Sequence, residues 1–315
     1  MRYAVIGTGA IGGYYGSKLN KAGNDVHFLL HSDYDYVKEH GLQVNSCEGS
    51  FHLDNPSVYR STDDMPACDV IIVALKTTNN CLLRSLLPPL LNKGKGRGSS
   101  PLLLLIQNGI GVEEDVQKMF PELQIAAGLA FICSAKTSPG LVDHLFYGKI
   151  SIGNYSCKDK RLVEKLIAEL KDAGIETYEV EYDEARWKKA VWNMPFNGMT
   201  VVLNTQTDML LADESTEKLI REQMNEVIGA AHALGVRNMD ESFVDKMIVE
   251  TKEMIPYSPS MKLDYEYKRK MEIEYIYDRP IAKARQIGFA MPRLEMLASE
   301  LKFKENQRMG KATVR

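Results

Sequence analysis

Residues 3–13 of the chain read YAVIGTGAIGG, a short apolar run that leads directly into a glycine-rich motif in the register G-x-G-x-x-G. In such a motif the first glycine permits a tight turn, the second lets the backbone approach a pyrophosphate, and the third lets a helix pack against a strand. The motif follows a β-rich run and opens a helical pattern, and this context indicates a dinucleotide-binding loop rather than an ordinary turn. The loop residues expected to contact the dinucleotide are Gly7, Thr8, Gly9, Ala10, Ile11 and Gly12.

Further apolar runs of strand length follow at intervals that suit alternating strands and helices. Parallel strands that are buried on both faces read as continuous apolar runs, as these do. We therefore predict that residues 1–182 form a Rossmann-like, doubly wound α/β domain. The predicted strands cover residues 3–7, 25–30, 69–75, 102–106, 125–132 and 175–180, and helices are predicted at 80–91 and 111–119.

From about residue 183 the pattern changes to long helical segments with little strand. Gly235 is predicted to end one of these helices, and Asp240 to cap the next. The second predicted domain, residues 183–315, is therefore all-helical. Its helices are predicted at residues 184–203, 214–234, 240–254, 264–288 and 293–303.

Polar residues follow two of the predicted strands. Lys76 comes directly after residues 69–75, and the tripeptide QNG at 107–109 comes after residues 102–106. Ligands of open α/β sheets bind outside the carboxyl ends of the strands. Lys76 and Asn108 are therefore candidates for a ligand site, and the alternative is that they are solvated loop residues.

The end of the second predicted strand bears on the choice of nicotinamide cofactor. Domains that select NAD usually carry an acid there, which binds the ribose hydroxyls, whereas those that select NADP carry a basic residue nearby. The sequence here is Leu30-His31-Ser32-Asp33, and the lack of an acid at the strand end favours NADP. His31 and Ser32 are then candidate contacts, although histidine is only partly charged near neutral pH and binds phosphate less strongly than arginine. Asp33, two residues beyond His31, keeps selection of NAD possible as the alternative.

The segment RWKKAVWNMPFNG, residues 186–198, places polar side chains on an otherwise apolar predicted helix. Lys189, Asn193 and Asn197 are four residues apart and therefore share one face. Burying this polar stripe would be costly unless each group found a partner. We interpret the stripe as facing a substrate cleft, where substrate completes its hydrogen bonds. The alternative for Lys189 is a surface lysine on an amphipathic helix.

A second polar set lies in SPSMKLDYEYKRKMEIEYI, residues 258–276. Ser260 stands at a capping position before a predicted helix, on which Asp264, Arg269 and Glu272 follow. Glu272 lies within the apolar run MEIEYI, which suggests that it is partly buried. Taken alone, Glu272 is more simply interpreted as a solvated carboxylate.

Composition limits the class of protein. The chain has 315 residues, 44% of them hydrophobic, and a formal net charge of −3. This charge does not indicate binding to nucleic acid or to an anionic membrane. The basic stretch KGKGR at 93–97 is predicted to be a solvated loop. Five scattered cysteines without a CxxC pair predict free thiols and no zinc site. Apolar runs too short for a bilayer and the lack of a signal-peptide pattern favour a cytoplasmic protein.

These motifs together resemble the ketopantoate reductase (2-dehydropantoate 2-reductase) family, and the similarity runs nearly end to end. The resemblance implies NADPH-dependent reduction of the 2-oxo acid 2-dehydropantoate to pantoate, a step of pantothenate and coenzyme A biosynthesis. The resemblance leaves the oligomeric state undecided, with a homodimer as one possibility. The motifs that carry it are GTGAIG at 7–12, LK at 75–76, QNG at 107–109, WKKAVWN at 187–193 with Asn197 beyond it, and SMKLDYEYKRKMEIEYI at 260–276.

The resemblance also implies roles, position by position. Lys189 takes the place of the family's catalytic lysine, which suits a general acid, and Glu272 that of its glutamate, which also lies near the cofactor. The substrate-binding positions are Asn108, Asn193, Asn197 and Ser260, and the cofactor-contacting positions include Lys76 and Asn108.

Two departures from the family pattern leave alternatives open. His31 replaces the family's usual arginine, and Pro195 precedes Asn197, where a proline inside a helix removes a hydrogen bond and kinks the axis. One alternative is a related NAD(P)-dependent reductase of another branched 2-oxo acid. The other is a non-catalytic NADP-binding sensor, which would need the glycines but not Lys189.

Overall fold

The structure is a computed structural model that describes residues 1–94, 100–256 and 258–310. The chain divides into two compact units, the first formed by Met1–Gln107 with Val112–Tyr182 and the second by Asn108–Gly111 with Asp183–Arg315. The predicted domain boundary at residue 182 places residues 108–111 in the first domain, whereas in the structure they belong to the helical unit. Of the predicted basic loop at 93–97, residues 95–97 lie outside the described residues.

The first unit is built around one twisted sheet. The central strands β1, β2, β6 and β7 pair in parallel, and the buried residues of β6 and β7 leave no polar face along them. In the described residues the strand order is β4-β3-β9-β8-β7-β6-β1-β2-β5, with β10 beside β9. The strands are β1 Arg2–Ile6, β2 Asp25–Leu29, β3 Leu42–Ser46, β4 Phe51–Leu53, β5 Ser57–Tyr59, β6 Val70–Val73, β7 Leu102–Leu105, β8 Gln124–Ser138, β9 Leu141–Asn154 and β10 Thr177–Val180.

The helices of this unit connect the strands in the βα manner that the sequence predicts. Their apolar side chains share a core with the sheet, in which Tyr15, Leu19 and Phe28 are fully buried. The helices are α1 Ala10–Lys21, α2 Tyr34–His40, α3 Leu83–Gly94, α4 Val112–Met119 and α5 Lys160–Asp172, and a 3-10 segment at Thr77–Leu82 precedes α3.

A long antiparallel hairpin, β8 with β9, is the main feature of this unit that the sequence did not predict. The predicted strand at 125–132 continues to Ser138, and the hairpin returns through Gly140 with three register shifts along its length. At its tip the carbonyl of Gly140 accepts a hydrogen bond from the backbone N–H of Gln43 at 2.8 Å, next to β3. The irregular register breaks the simple alternation by which an exposed strand is recognised.

The second unit consists of helices around their own apolar core, in which Val191, Phe196 and Leu294 are fully buried. Asp240 caps a helix as predicted, because its side chain accepts the backbone N–H of Phe243 at 3.3 Å. The helices are α6 Tyr182–Val202, α7 Thr207–Ala212, α8 Glu214–Ala233, α9 Glu241–Glu253, α10 Ser260–Glu266, α11 Arg279–Gln286 and α12 Pro292–Arg308, and a π-helical segment spans Glu274–Asp278.

The prediction of one helix over residues 264–288 is wrong. Helix α10 ends at Glu266, and an irregular segment leads into the π-helical segment. Two residues of α12 hold this break: Arg308 donates to the carbonyls of Asp264 and Tyr265 at 3.1 and 2.9 Å, and Glu305 accepts the backbone N–H of Met271 at 2.7 Å. Carbonyls at a helix end need such partners. Contacts distant in the chain therefore override the local helical pattern.

Among the described residues, no helix combines the length and the apolar character that crossing a bilayer requires.

Candidate active site

The glycine loop of the first unit has the geometry of a dinucleotide cradle. Gly7 has a φ of +95°, and a Cβ there would lie 2.6 Å from the backbone nitrogen of Leu75. A Cβ on Gly12 would lie 2.3 Å from the carbonyl oxygen of Gly7, so loop and helix approach too closely for any side chain. A Cβ on Gly9, in contrast, would meet no protein atom within 4 Å.

The space beside Gly9 therefore faces away from the protein, and helix α1 begins next to it at Ala10. No side chain caps this helix end. Its first backbone N–H groups can therefore be satisfied by an anion, and the positive end of the helix dipole favours one. The open space and the uncapped helix start fit the diphosphate of a dinucleotide.

The residues after β2 lie in two different environments. His31 and Ser32 are exposed, as contacts to a ligand phosphate would need to be. Asp33 is buried, and its carboxylate forms an ion pair with Lys136 and accepts the backbone N–H of Gly140 at 3.3 Å. Asp33, the acid that kept selection of NAD possible, is therefore already bound to other groups of the protein.

The QNG motif at 107–109 serves two separate purposes. Gln107 donates from its side-chain amide to the carbonyl of Leu75 at 2.6 Å and to the side-chain oxygen of Asn80 at 2.7 Å, which fixes the loop that carries Lys76. Gly109 belongs to the second unit and has a φ of +99°. A Cβ there would lie 2.5 Å from the carbonyl oxygen of Tyr275, so only glycine fits.

The second unit contains a recess beside helix α6. Lys189 and Asn193 both line it, as their shared helical face predicts. Each residue is half-buried as a whole, but the ammonium group of Lys189 lies in the interior. The motif residue Gly109 lies at the same recess. Its lining comprises Gly109, Ile110, Arg186, Lys189, Ala190, Asn193, Met194 and Ile276.

Helix α6 runs without a break through Pro195, although proline supplies no N–H for the ladder. Asn197 does not line the recess, in contrast to Lys189 and Asn193. It is buried, and its side-chain oxygen accepts the backbone N–H of Met261 at 3.3 Å. Asn197 therefore supports the start of helix α10, where Ser260 lies.

The electrostatic surroundings of Lys189 favour its neutral form to an unusual degree. Its pKa is lowered from the ordinary 10.5 to about 7, first because burial removes water from the ammonium group. The positive charge of Arg186, one helical turn away, lowers the pKa in the same direction, and the negative charge of Glu272 opposes both. A lysine with a pKa near neutrality can release and regain a proton at working pH.

Glu272 and Ser260 lie on different elements, contrary to the prediction that Glu272 follows Ser260 on one helix. Ser260 is the first residue of α10 and does not cap it, since Pro259 occupies the cap position. Glu272 is buried and lies just before the π-helical segment. Its charge acts on Lys189 from that position. Its burial differs from the solvated interpretation that the sequence alone favoured.

Two residues of interest were not singled out from the sequence. Arg186 lies in the quoted segment 186–198, and its position three residues before Lys189 was an available signal. Lys136 gave no signal at all, because nothing in the local sequence of β8 connects it with Asp33 or with the glycine loop.

Comparison with known proteins bears on both units. Residues 3–156 match the family model described as Ketopantoate reductase PanE/ApbA, and residues 181–305 match Ketopantoate reductase PanE/ApbA C terminal. The chain belongs to the ketopantoate reductase family. The resemblance seen in the sequence is thereby confirmed, and the chain is an oxidoreductase of the ketopantoate reductase type.

Similar proteins cover nearly the whole length of the chain. The 2-dehydropantoate 2-reductase of Nostoc sp. is 44% identical over 321 residues, which cover 99% of this chain and 98% of that protein. The crystal structure of 2-dehydropantoate 2-reductase from Geobacter metallireducens is 38% identical with a TM-score of 0.91, covering 96% of this chain and 99% of that one. The ternary structure of D-mandelate dehydrogenase with NADH and anilino(oxo)acetate, 23% identical with a TM-score of 0.87 over 98% and 99% of the two chains, shares the fold. The predicted fold class, an α/β unit followed by a helical one, is confirmed.

Proposed function

We propose that this protein reduces 2-dehydropantoate (ketopantoate) to pantoate with NADPH, a step of pantothenate and coenzyme A biosynthesis. The observation that carries the proposal is the position of Lys189, which lines a recess together with Arg186 and Asn193. Burial there and the charge of Arg186 lower the pKa of Lys189 to about 7, against the opposing charge of the buried Glu272. The reductase names of the relatives from Nostoc and Geobacter support the named substrate.

The reduction of a 2-oxo acid needs a hydride, a proton for the developing alkoxide, and a grip on the carboxylate. A bound nicotinamide supplies the hydride. Lys189 in its protonated form stabilises the negative charge that develops on the carbonyl oxygen and transfers its proton there. The neutral amine that results regains a proton from water, which a pKa of about 7 allows at neutral pH.

The remaining polar residues hold the substrate. Asn193 lines the recess and donates to substrate oxygens without adding charge. Ser260 donates to the carboxylate, and Asn108 completes the proposed substrate contacts, whereas Asn197 acts indirectly by supporting the start of helix α10. Glu272 accepts from the substrate hydroxyl, which excludes analogues that lack one, because a buried carboxylate would then be left without that partner.

The cofactor is proposed to bind along the glycine loop and the neighbouring strand ends of the first unit. Residues 1–182 thus carry the cofactor function and residues 183–315 the chemistry at Lys189. The open space at Gly9 supports the placement of the diphosphate. The proposed contacts are Gly7, Thr8, Gly9, Ala10, Ile11, Gly12, His31, Ser32, Lys76, Asn108 and Glu272.

The proposal is tested by following the oxidation of NADPH and of NADH by the purified protein with a panel of 2-oxo acids. We expect the highest kcat/KM for ketopantoate with NADPH, and a marked loss with branched 2-oxo acids that lack the hydroxyl. A higher kcat/KM for another branched 2-oxo acid would assign a related reductase instead. Cofactor binding without turnover of any 2-oxo acid would indicate a sensor.

A further inference from the structure

A lysine of the β8–β9 hairpin reaches the cofactor-binding face of the first unit. The Nζ of Lys136 donates a hydrogen bond to the carbonyl oxygen of Thr8 at 3.2 Å, across 128 residues of chain. The same ammonium group forms an ion pair with the carboxylate of Asp33. Lys136 therefore bridges the glycine loop and the connection that follows β2.

These contacts place the ammonium group at the end of β2. Thr8 stands between the first two glycines of the loop, and its hydroxyl donates to the carbonyl of Leu29, the last residue of β2, at 2.9 Å. Asp33 lies four residues beyond Leu29, and the exposed His31 and Ser32 lie between them. In Rossmann-like domains the end of the second strand is where the adenosine ribose and its 2′ substituent are recognised.

The Asp33 carboxylate is already occupied by partners within the protein. It is buried, paired with Lys136 and bonded to the backbone N–H of Gly140 at 3.3 Å, so it is not presented to a ribose hydroxyl. Its negative charge is also balanced by the lysine, which removes the repulsion that an unpaired acid would exert on a phosphate.

Lys136 itself keeps the capacity to bind an anion. An ammonium group has three donors, and the described residues use two of them, at Thr8 and at Asp33. Its side chain is 27% exposed, in contrast to 6% for that of Asp33. A phosphate at the end of β2 can therefore reach the ammonium group while the buried carboxylate holds that group in place.

We propose that Lys136, held by Asp33, is a specificity-determining residue that binds the 2′-phosphate of NADPH. It supplies an ammonium N–H donor near the position where His31 replaces the family's usual arginine. The inference rests on the proposed NADPH dependence, and it assigns the preference to a residue on a strand far from the dinucleotide motif.

The test is a set of dissociation constants for NADPH and NADH, measured by fluorescence titration on wild type and Lys136→Gln. Loss of one charge-assisted hydrogen bond to the 2′-phosphate should weaken NADPH binding roughly tenfold or more. NADH binding should be unchanged. Lys149→Gln is the matched control, since Lys149 is an exposed lysine on the partner strand β9, and it should alter neither constant.

Two further measurements do not depend on that variant. Asp33→Asn should leave NADH affinity unchanged, whereas a fall would show that Asp33 binds the ribose and would overturn the inference. In the wild-type protein, 2′,5′-ADP should protect Lys136 from amine acylation, followed by mass spectrometry, and 5′-AMP should not. Equal protection by the two nucleotides would overturn the inference as well.

The outcomes also separate this inference from the proposed function. If wild type prefers NADPH and Lys136→Gln keeps the same ratio of dissociation constants, the assignment of Lys136 is wrong and the NADPH dependence stands. A parallel loss of both cofactors would place Lys136 at the diphosphate instead and would likewise overturn it. If wild type binds NADH as tightly as NADPH, both the cofactor proposal and this inference fail.

Discussion

The side-chain oxygen of Asn197, on helix α6, accepts the backbone N–H of Met261, in the first turn of helix α10, at 3.3 Å. The first N–H groups of a helix have no partner within the helix, and a residue 64 positions away satisfies this one. Asn197 thus connects the helix that carries Lys189 with the one that begins at Ser260. It is buried, whereas Asn193, one turn earlier on the same face, lines the recess.

Asn197→Ala should lower the stability of the protein by about 1–2 kcal/mol, because the N–H of Met261 loses its acceptor in a buried place. Asn193→Ala is the control: it removes a side chain that lines the recess, so it should raise KM for the 2-oxo acid with little change in stability. Urea denaturation and steady-state kinetics measure the two effects. Wild-type stability of Asn197→Ala would show that the bond to Met261 contributes nothing.

Lys189→Ala should lower kcat by about two orders of magnitude or more, the typical size of lost general-acid catalysis. The dissociation constant of NADPH should change little, since the glycine loop is untouched. Lys188→Ala is a matched control, because Lys188 forms an ion pair with Glu184 and does not line the recess. A folded Lys189→Ala protein with wild-type kcat would refute the assignment of the general acid.

The rate of reduction should fall as pH rises through about 7, because the form of Lys189 that donates a proton exists below its pKa. Arg186→Met should move the midpoint of this fall to higher pH, since the positive charge of Arg186 is one cause of the lowered pKa. Lys188→Met should leave the midpoint in place. Single-turnover rates measured across the neutral range provide the check, and a flat wild-type profile would exclude Lys189 as the titrating acid.

Lys189→Met should stabilise the protein, and the gain should depend on pH. The pKa of Lys189 is about 7 in the folded protein against an ordinary 10.5, so between these values the unfolded chain binds more protons and wild-type stability rises with pH. The gain from methionine is therefore full below about 7 and shrinks towards 10.5. Urea midpoints of both proteins at several pH values measure it. A difference that does not vary with pH would contradict the lowered pKa.

Gly9→Ala should weaken cofactor binding, whereas Gly12→Ala should lower the stability of the protein. The new methyl group on Gly9 meets no protein atom, so the variant should keep its melting temperature and lose NADPH affinity, because the methyl group occupies the space of the diphosphate. On Gly12 the methyl group would lie 2.3 Å from the carbonyl oxygen of Gly7, so this variant should be destabilised with or without cofactor. Thermal melting and fluorescence titration separate the two. Unchanged NADPH binding in folded Gly9→Ala would show that the loop does not hold the diphosphate.

The break in the predicted helix at 264–288 shows where local reasoning stops. The segment SMKLDYEYKRKMEIEYI at 260–276 has helical spacing throughout, yet the chain leaves the helix after Glu266. Arg308 and Glu305 form the hydrogen bonds that stabilise the irregular backbone, and both lie on the last described helix. The charge of Glu272 consequently acts on Lys189 from the irregular segment just before the π-helical segment rather than from α10.

The sequence by itself determined the elements whose signals lie within a few residues of one another. The register of Gly7, Gly9 and Gly12 follows from backbone space around one turn, and the shared face of Lys189 and Asn193 follows from the helical period. The tertiary structure alone decided the pairing of Lys136 with Asp33, the bond of Asn197 to Met261, and the lowered pKa of Lys189. Each of these depends on groups brought together from distant parts of the chain, and local periodicity, which indicates which face of an element is buried, does not encode which distant groups meet there.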